Sequence, residues 1–193
     1  MAKKTVTAPL KWTTAMKLLA ILRESDELAE SRLMFALGFY TGLRISDILK
    51  LRWQDLQTLV LEIEEQKTKK TRTIDLNRKL LAIVQEVRVI IQPINDNQFI
   101  FKGKRGPNKN KALTVVGANN RIKQIFERFD IVTQNPSSHT LRKTFALRVY
   151  ETNQRSEDAL ILLSEMFNHS NISITRKYIG ITQERIANVY LSI

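Results

Sequence analysis

Tyr40-Thr41-Gly42-Leu43-Arg44-Ile45-Ser46-Asp47 is the stretch on which the reading of the fold turns. An apolar run with helical spacing enters it from about Leu28 to Tyr40, breaks at Gly42 and resumes from Ile45 to Leu51. Arg44 therefore stands at a helix start, where a cation opposes the positive end of the helix dipole. An anion facing the arginine would remove that conflict. Asp47, three residues on and on the same helical side, is placed to hold the guanidinium. The plain alternative is a surface arginine at a helix start.

Working outward, residues 1–10 read as a flexible arm. A helix follows in which Leu18, Leu19 and Leu22 share a face and Thr13 or Thr14 supplies the cap. Downstream, residues 58–63 and 71–76 read as two strands, so that Lys67, Lys69 and Lys70 fall at the basic tip of a hairpin. Leu80, Leu81, Val84, Val87 and Ile91 mark a helix that stops before Pro93. Residues 98–101 read as a further short strand. The segment from Lys102 to Lys111 holds Lys102, Lys104, Arg105, Lys109 and Lys111, with Gly103, Gly106 and Pro107 and no acid, and reads as a mobile basic loop. Helices are expected over about 115–129, 139–151, 157–167 and 173–179, with a last one at 183–190. The expected fold class is mainly α (α+β), a single domain over residues 1–193 with a small β-hairpin or three-stranded sheet.

Bulk composition narrows the partners. The chain carries 31 Lys+Arg against 19 Asp+Glu, a net charge of +12. Such a surplus suits a polyanion, because neutralising phosphates releases condensed counterions. The absence of cysteine excludes disulfides and thiolate zinc sites. No apolar stretch is long enough for a membrane span and the first residues are no signal peptide, so a cytoplasmic location and no membrane partner are expected.

The chain has two histidines. His139 precedes Arg142 by one helical step, with Leu141 and Phe145 on the core side, which leaves His139 and Arg142 to line a cleft. His169 stands nine residues before Tyr178. Of the four tyrosines, Tyr40 and Tyr150 sit among apolar residues, and Tyr190 has no histidine at that distance upstream. Tyr178 is flanked by Arg176 and Lys177, surroundings that favour a phenoxide. Each feature alone has a structural reading: a helix cap for His169, a half-buried helix residue for Tyr178, a solvated turn for the lysines. Together they suit an attack on a phosphodiester without metal. A tyrosine hydroxyl serves as nucleophile, arginine forks bind the non-bridging oxygens, and a lysine protonates the leaving oxygen.

In this order the residues resemble the catalytic domain of the tyrosine recombinases, the phage-integrase family, from about Arg44 to Tyr178. The resemblance implies that family's mainly α catalytic fold, with Arg44 and Arg142 as phosphate clamps and Tyr178 as nucleophile. It further implies His139 assisting proton transfer at the tyrosine, His169 donating to a non-bridging oxygen, and Lys67 as general acid, with Lys69 and Lys70 competing for that role. Phe167-Asn168 stands where the family usually has Leu-Gly, and asparagine also tolerates the left-handed conformation that ends a helix.

The implied reaction is site-specific recombination through a 3′-phosphotyrosine and a Holliday junction, with no metal and no cofactor. Implied partners are double-stranded DNA, a homotetramer on two DNA sites and accessory DNA-bending proteins, in a nucleoid-associated protein of prokaryotic, phage or mobile-element origin. Lys69, Lys70, Lys102, Lys104, Arg105, Lys109, Lys111, Lys143 and Arg176 are the expected DNA contacts. The short stretch before Arg44 implies that the family's core-binding domain is absent, as in single-domain fimbrial invertases or a shortened chain. Residues 180–193 are expected to dock on a neighbouring subunit or on their own domain. Two rival classes are type IB topoisomerase-like relaxation and a non-catalytic basic DNA-binding accessory protein.

Overall fold

Helix α1 (Trp12–Arg23) buries Leu18, Leu19 and Leu22 as their spacing predicts. It starts behind Lys11, whose carbonyl accepts from Ala15 N at 3.1 Å, so Thr13 and Thr14 lie within the first turn and do not cap it. The computed structural model describes residues 7–64, 71–103, 111–180 and 190–192. Helix α2 (Ala29–Thr41) follows a 3-10 turn at Asp26–Leu28 and is buried on almost every side. Its two buried charges are paired, as a low-dielectric interior requires. Arg121 Nη1 reaches Glu30 at 3.1 Å, and Arg32 Nη1 reaches Glu86 at 2.7 Å.

Two glycines set how α2 meets the rest. A Cβ on Gly38 would lie 2.6 Å from the Cβ of Leu141, so the close approach of α2 to the later helix α6 (Ser138–Thr152) needs a residue without a side chain. Gly42 ends α2 in the left-handed conformation at φ 62, and a Cβ there would lie 2.3 Å from Phe145. The chain then turns into the short helix α3 (Ile45–Ile48), with Arg44 as its N-cap in extended conformation.

After a 3-10 turn at Trp53–Leu56, strands β1 (Val60–Glu64) and β2 (Thr71–Asp75) pair antiparallel from Val60↔Asp75 to Glu64↔Thr71. The described sheet has two strands. Residues 98–101 add only the isolated bridge Arg52↔Phe99, not the expected third strand. Ile100 and Phe101 are consecutive and both buried, which a strand with alternating faces does not allow at a sheet with one solvated side. Helix α4 (Arg78–Ile91) is capped by the Asn77 side chain and stops at Gln92, before Pro93. Helix α5 (Val115–Arg128) is capped by Thr114. Helices α6, α7 (Glu157–Phe167) and α8 (Ile172–Ile179) follow, and the helix expected at 183–190 lies outside the described residues except for Tyr190. No helix among the described residues is long and apolar enough to cross a membrane.

The buried apolar residues form two clusters. The larger joins α1 to α5 with Leu141 of α6, and the smaller joins Ala146 and Tyr150 of α6 to α7 and α8. Helix α6 thus lies between two cores, and its consecutive residues Thr140, Leu141, Arg142, Lys143 and Thr144 are all buried. The expected arm is also different in its described part. Ala8 N donates to Gln134 O at 3.1 Å and Leu10 N to Thr144 Oγ1 at 2.9 Å, with the Leu10 side chain in the larger core. Residues 7–10 are a strap across α6, held because burying Leu10 and satisfying its backbone outweigh the freedom of a loose end.

Gly42 makes the packing testable. Gly42→Ala combines left-handed strain with a clash on Phe145 and should lower the unfolding free energy by about 3 kcal/mol. Equilibrium urea unfolding reads this directly, and an unchanged midpoint would contradict the described turn.

Candidate active site

Three segments distant in sequence converge on one cleft of about 400 Å³. The α2–α3 turn brings Arg44, the start of α6 brings His139 and Arg142, and the α7–α8 turn with α8 brings His169 and Tyr178. Leu43, Ile45, Ser46, Val115, Ser138 and Asn168 complete the wall. The site lies at the seam between the two apolar clusters.

Each segment ends in a device that aims its side chains. Ser137 caps α6 by accepting from His139 N, while Thr140 Oγ1 accepts from Ser137 N at 3.2 Å. That reciprocal cap fixes the first turn, from which His139 and Arg142 project. Asn168 ends α7 in the left-handed conformation at φ 52, so asparagine does here what a glycine would do. Asn171 then caps α8 by accepting from Ser173 N at 2.8 Å.

Both arginines are held by backbone carbonyls. Arg142 Nη1 donates to Gly42 O, and Arg44 Nη2 donates to Phe167 O at 3.3 Å. The Arg142 guanidinium also stacks 3.8 Å above the Phe167 ring. Phe167 in turn meets Tyr178 at 5.6 Å and His169 at 5.5 Å between ring centres, both edge to face. Phe167 is thus the buried ring on which Arg142, Tyr178 and His169 all pack. Asp47 is buried, with Oδ1 accepting from Ser46 Oγ at 3.4 Å.

His139 Nδ1 lies 3.5 Å from Tyr178 Oη, and His169 Nδ1 lies 2.8 Å from Oγ1 of the buried Thr175. Tyr178 does not sit as a phenoxide, contrary to the expectation from its basic neighbours. Loss of hydration pushes its phenol up to about 12, although Arg142 and Arg44 pull the other way. Of the flanking cations, Arg176 is turned away, donating to Glu157 at 2.6 Å. His139 stands at the exposed rim, yet the protein wall behind its ring holds its pKa below 6.5, with repulsion from Arg142 and Lys143 adding to the effect. Both members of the pair are therefore neutral near pH 7.

The expected DNA contacts divide. Lys67, Lys69, Lys70, Lys104, Arg105 and Lys109 lie outside the described residues. Lys111 is exposed, and Lys102 donates to Gln98 Oε1 at 2.6 Å at the base of its loop, where Gly103 N donates to Lys111 O at 3.0 Å. Lys143 departs from expectation. It is buried, and its ammonium donates to Thr7 O at 2.6 Å, so it does not belong to the solvent-facing basic surface. Arg176 is paired with Glu157. Of the other tyrosines, Tyr150 is in the core and Tyr40 packs on Trp12, among apolar residues as the sequence suggests, while Tyr190 is exposed.

Sequence reasoning missed Phe167 and Thr175. Thr175 lies three residues before Tyr178 on α8, so its helical spacing places it on the same face. Phe167 closes α7 two residues before His169. Neither carries charge, and an uncharged residue in a motif reads as packing.

Comparison with known proteins identifies the family and the fold. A family model described as the phage integrase family matches residues 11–185. The probable integrase/recombinase YoeC of Bacillus subtilis is 33% identical over 158 residues, covering 81% of this chain and 81% of that protein. Tyrosine recombinase XerC of Bradyrhizobium diazoefficiens is 32% identical over 178 residues, covering 88% of this chain and 51% of XerC. The Tn1549 transposon integrase in complex with transposon right end DNA shares the fold at a TM-score of 0.72 and 16% identity, over 100% of this chain and 67% of that one. The XerH site-specific recombinase in its post-cleavage complex with difH substrate does so at 0.68 and 22% identity, over 95% of this chain and 52% of that one. The chain spans most of YoeC but about half the length of XerC and XerH.

The histidine at the rim gives a measurable consequence. Because folding disfavours its charged form, the His139 ring should titrate in NMR below 6.5. By linkage the native state binds fewer protons than the unfolded chain just below that value, so this group weakens the fold as pH falls through it. A midpoint at or above 6.5 would contradict the partial dehydration of the ring.

Proposed function

Because the chain belongs to the phage integrase family, the tyrosine recombinases, we propose that it cuts and rejoins DNA at specific sites through a 3′-phosphotyrosine on Tyr178. The observation that carries this reading is the convergence of Arg44, His139, Arg142, His169 and Tyr178 on one cleft from three separate segments. Family membership also favours recombination over the topoisomerase and accessory-protein alternatives.

The proposed steps assign each residue a role. Arg44 and Arg142 bind the non-bridging oxygens of the scissile phosphate and stabilise the charge that grows there in the transition state. His169 Nδ1 and Thr175 Oγ1 lie 2.8 Å apart, and with the hydroxyl as donor the ring proton sits on Nε2, the tautomer that donates to the same phosphate. Tyr178 Oη attacks phosphorus and its proton passes to neutral His139, 3.5 Å away. The bond from phosphorus to the 5′-oxygen breaks, and Lys67 of the β1–β2 connection supplies that oxygen with a proton. The phosphotyrosine keeps the energy of the broken bond, so a 5′-hydroxyl from a partner strand religates by the reverse path. Four copies acting on two duplexes through a Holliday junction complete the proposal, with Asp47 as a buried countercharge beside Arg44. The C-terminal tail, with Tyr190 and Leu191 exposed, links one copy to the next.

Nicked suicide duplexes test the reading. The wild-type chain should form a DNA adduct that survives denaturant, and Tyr178→Phe should form none while binding DNA within about 1 kcal/mol of wild type, since one hydroxyl adds little to a phosphate-dominated interface. An undiminished adduct in that variant would place the nucleophile elsewhere. The wild-type cleavage rate should fall as pH drops through the depressed His139 value, because protonation removes the base.

The clamps and the general acid have separate signatures. Arg44→Ala or Arg142→Ala should slow cleavage by at least roughly a hundredfold, the scale for one transition-state donor, and Arg→Lys should rescue poorly for want of the fork. Near-normal rates in both alanine variants would sink the clamp assignment. Lys67→Ala should block ordinary DNA yet cleave a substrate with a 5′-bridging phosphorothiolate, where sulfur leaves without a proton. If Lys69→Ala shows that rescue and Lys67→Ala does not, the role belongs to Lys69.

A further inference from the structure

One buried cation beside the cleft has no part in the chemistry above. Lys143 follows Arg142 on α6 and is 8% exposed. Its Nζ donates to Thr7 O at 2.6 Å and stands 5.1 Å from the centre of the Tyr178 ring. An ammonium over an aromatic face is drawn to the ring, and more strongly where water is excluded. The Phe167 and His169 rings meet Tyr178 at 82° and 68°, so Lys143 adds a charged contact to a set of steep ring contacts.

The carbonyl that holds Lys143 is itself fixed. The strap of residues 7–10 is bonded at Ala8 to Gln134 and at Leu10 to Thr144, and Thr133 Oγ1 donates to Ala8 O at 3.3 Å. Strap, α6 and α8 are thus joined through one side chain. A lysine meant for phosphates would keep its ammonium in solvent, where its entropy and hydration are retained; this one gives up both. Its loss of hydration disfavours the charged form, so the contacts it makes have to compensate.

The geometry points to Lys143 as a positioning residue for strand cleavage, one that ties the Tyr178 ring to the strap at residues 7–10 and so keeps its hydroxyl beside His139. This rests on Tyr178 being the nucleophile. Through Lys143 the placement of the nucleophile depends on a segment that is distant in sequence from every motif residue. Whatever displaces the strap displaces Tyr178 with it.

Three substitutions separate the contributions. Lys143→Met keeps the aliphatic stem and removes both contacts, Lys143→Gln keeps a donor for Thr7 O without the charge, and Lys143→Arg keeps the cation. Each is followed by single-turnover cleavage at saturating protein, DNA affinity, the thermal transition, and fluorine NMR of fluorotyrosine-labelled protein, with the Tyr178 resonance assigned by its loss in Tyr178→Phe. Lys143→Met should cleave at least roughly tenfold more slowly with DNA affinity within about twofold of wild type, and Lys143→Arg should recover most of the rate. The Tyr178 resonance should move in the methionine variant and return in the arginine variant. If Lys143→Met fails to fold, Lys143→Gln carries the same expectations. A loss of DNA affinity with an unchanged saturated rate would make Lys143 a phosphate contact and overturn the proposal. So would an unmoved Tyr178 resonance, or equal slowing in the arginine variant. The wild-type adduct and its loss in Tyr178→Phe separate a failure of the nucleophile assignment from a failure of this one.

Discussion

The bond from the Arg142 guanidinium to the Gly42 carbonyl joins positions a hundred residues apart and fixes where both cleft arginines stand. Glycine is required there for two independent reasons, the left-handed φ of 62 and the Phe145 ring that occupies the space of a Cβ. Two residues later comes Arg44, whose guanidinium donates to the Phe167 carbonyl, and the ring of the same Phe167 lies under Arg142. A neutral carbonyl orients a guanidinium without cancelling its charge. The site therefore depends on backbone placed by a helix end, and helix α6 carries it because that helix is packed on both sides.

Proton placement follows from the same enclosure. Lost hydration raises the phenol of Tyr178 and lowers the imidazolium of His139, so both partners rest neutral across 3.5 Å. A standing phenoxide beside two arginines would pair with them and compete with the phosphate for the same donors. A neutral phenol competes less for those donors, and in the proposed mechanism it ionises only as it attacks. Thr175 fixes the other histidine in the corresponding way, through the ring nitrogen that does not face the phosphate in the proposed mechanism.

Much of this was legible because it follows periodicity and turn chemistry. The leucines of α1, the break at Gly42, the helical step from His139 to Arg142 and the left-handed Asn168 all read correctly from local rules. What local rules miss is set by distant partners. Lys143 reads as a surface cation until Thr7 is folded onto α6, and residues 7–10 read as loose until Leu10 finds the core. Arg176 reads as a basic neighbour of Tyr178, and the fold pairs it with Glu157 on another helix. Residues 98–101 read as a strand, but burying Ile100 and Phe101 together turns them out of the sheet. Phe167 and Thr175 carry no charge to announce them, although they orient four of the five cleft residues.

That DNA becomes linked through the one tyrosine enclosed by this cleft is tested most directly by mass spectrometry of the covalent complex after nuclease and trypsin digestion. Cleavage after Lys177 and Arg185 isolates Tyr178 on a peptide with no other tyrosine, while Tyr190 falls on the peptide that begins at Ile186. The predicted result is a nucleotide on the first peptide, with fragmentation assigning it to Tyr178. A nucleotide on Tyr190, or on any residue outside the cleft, would contradict the assignment.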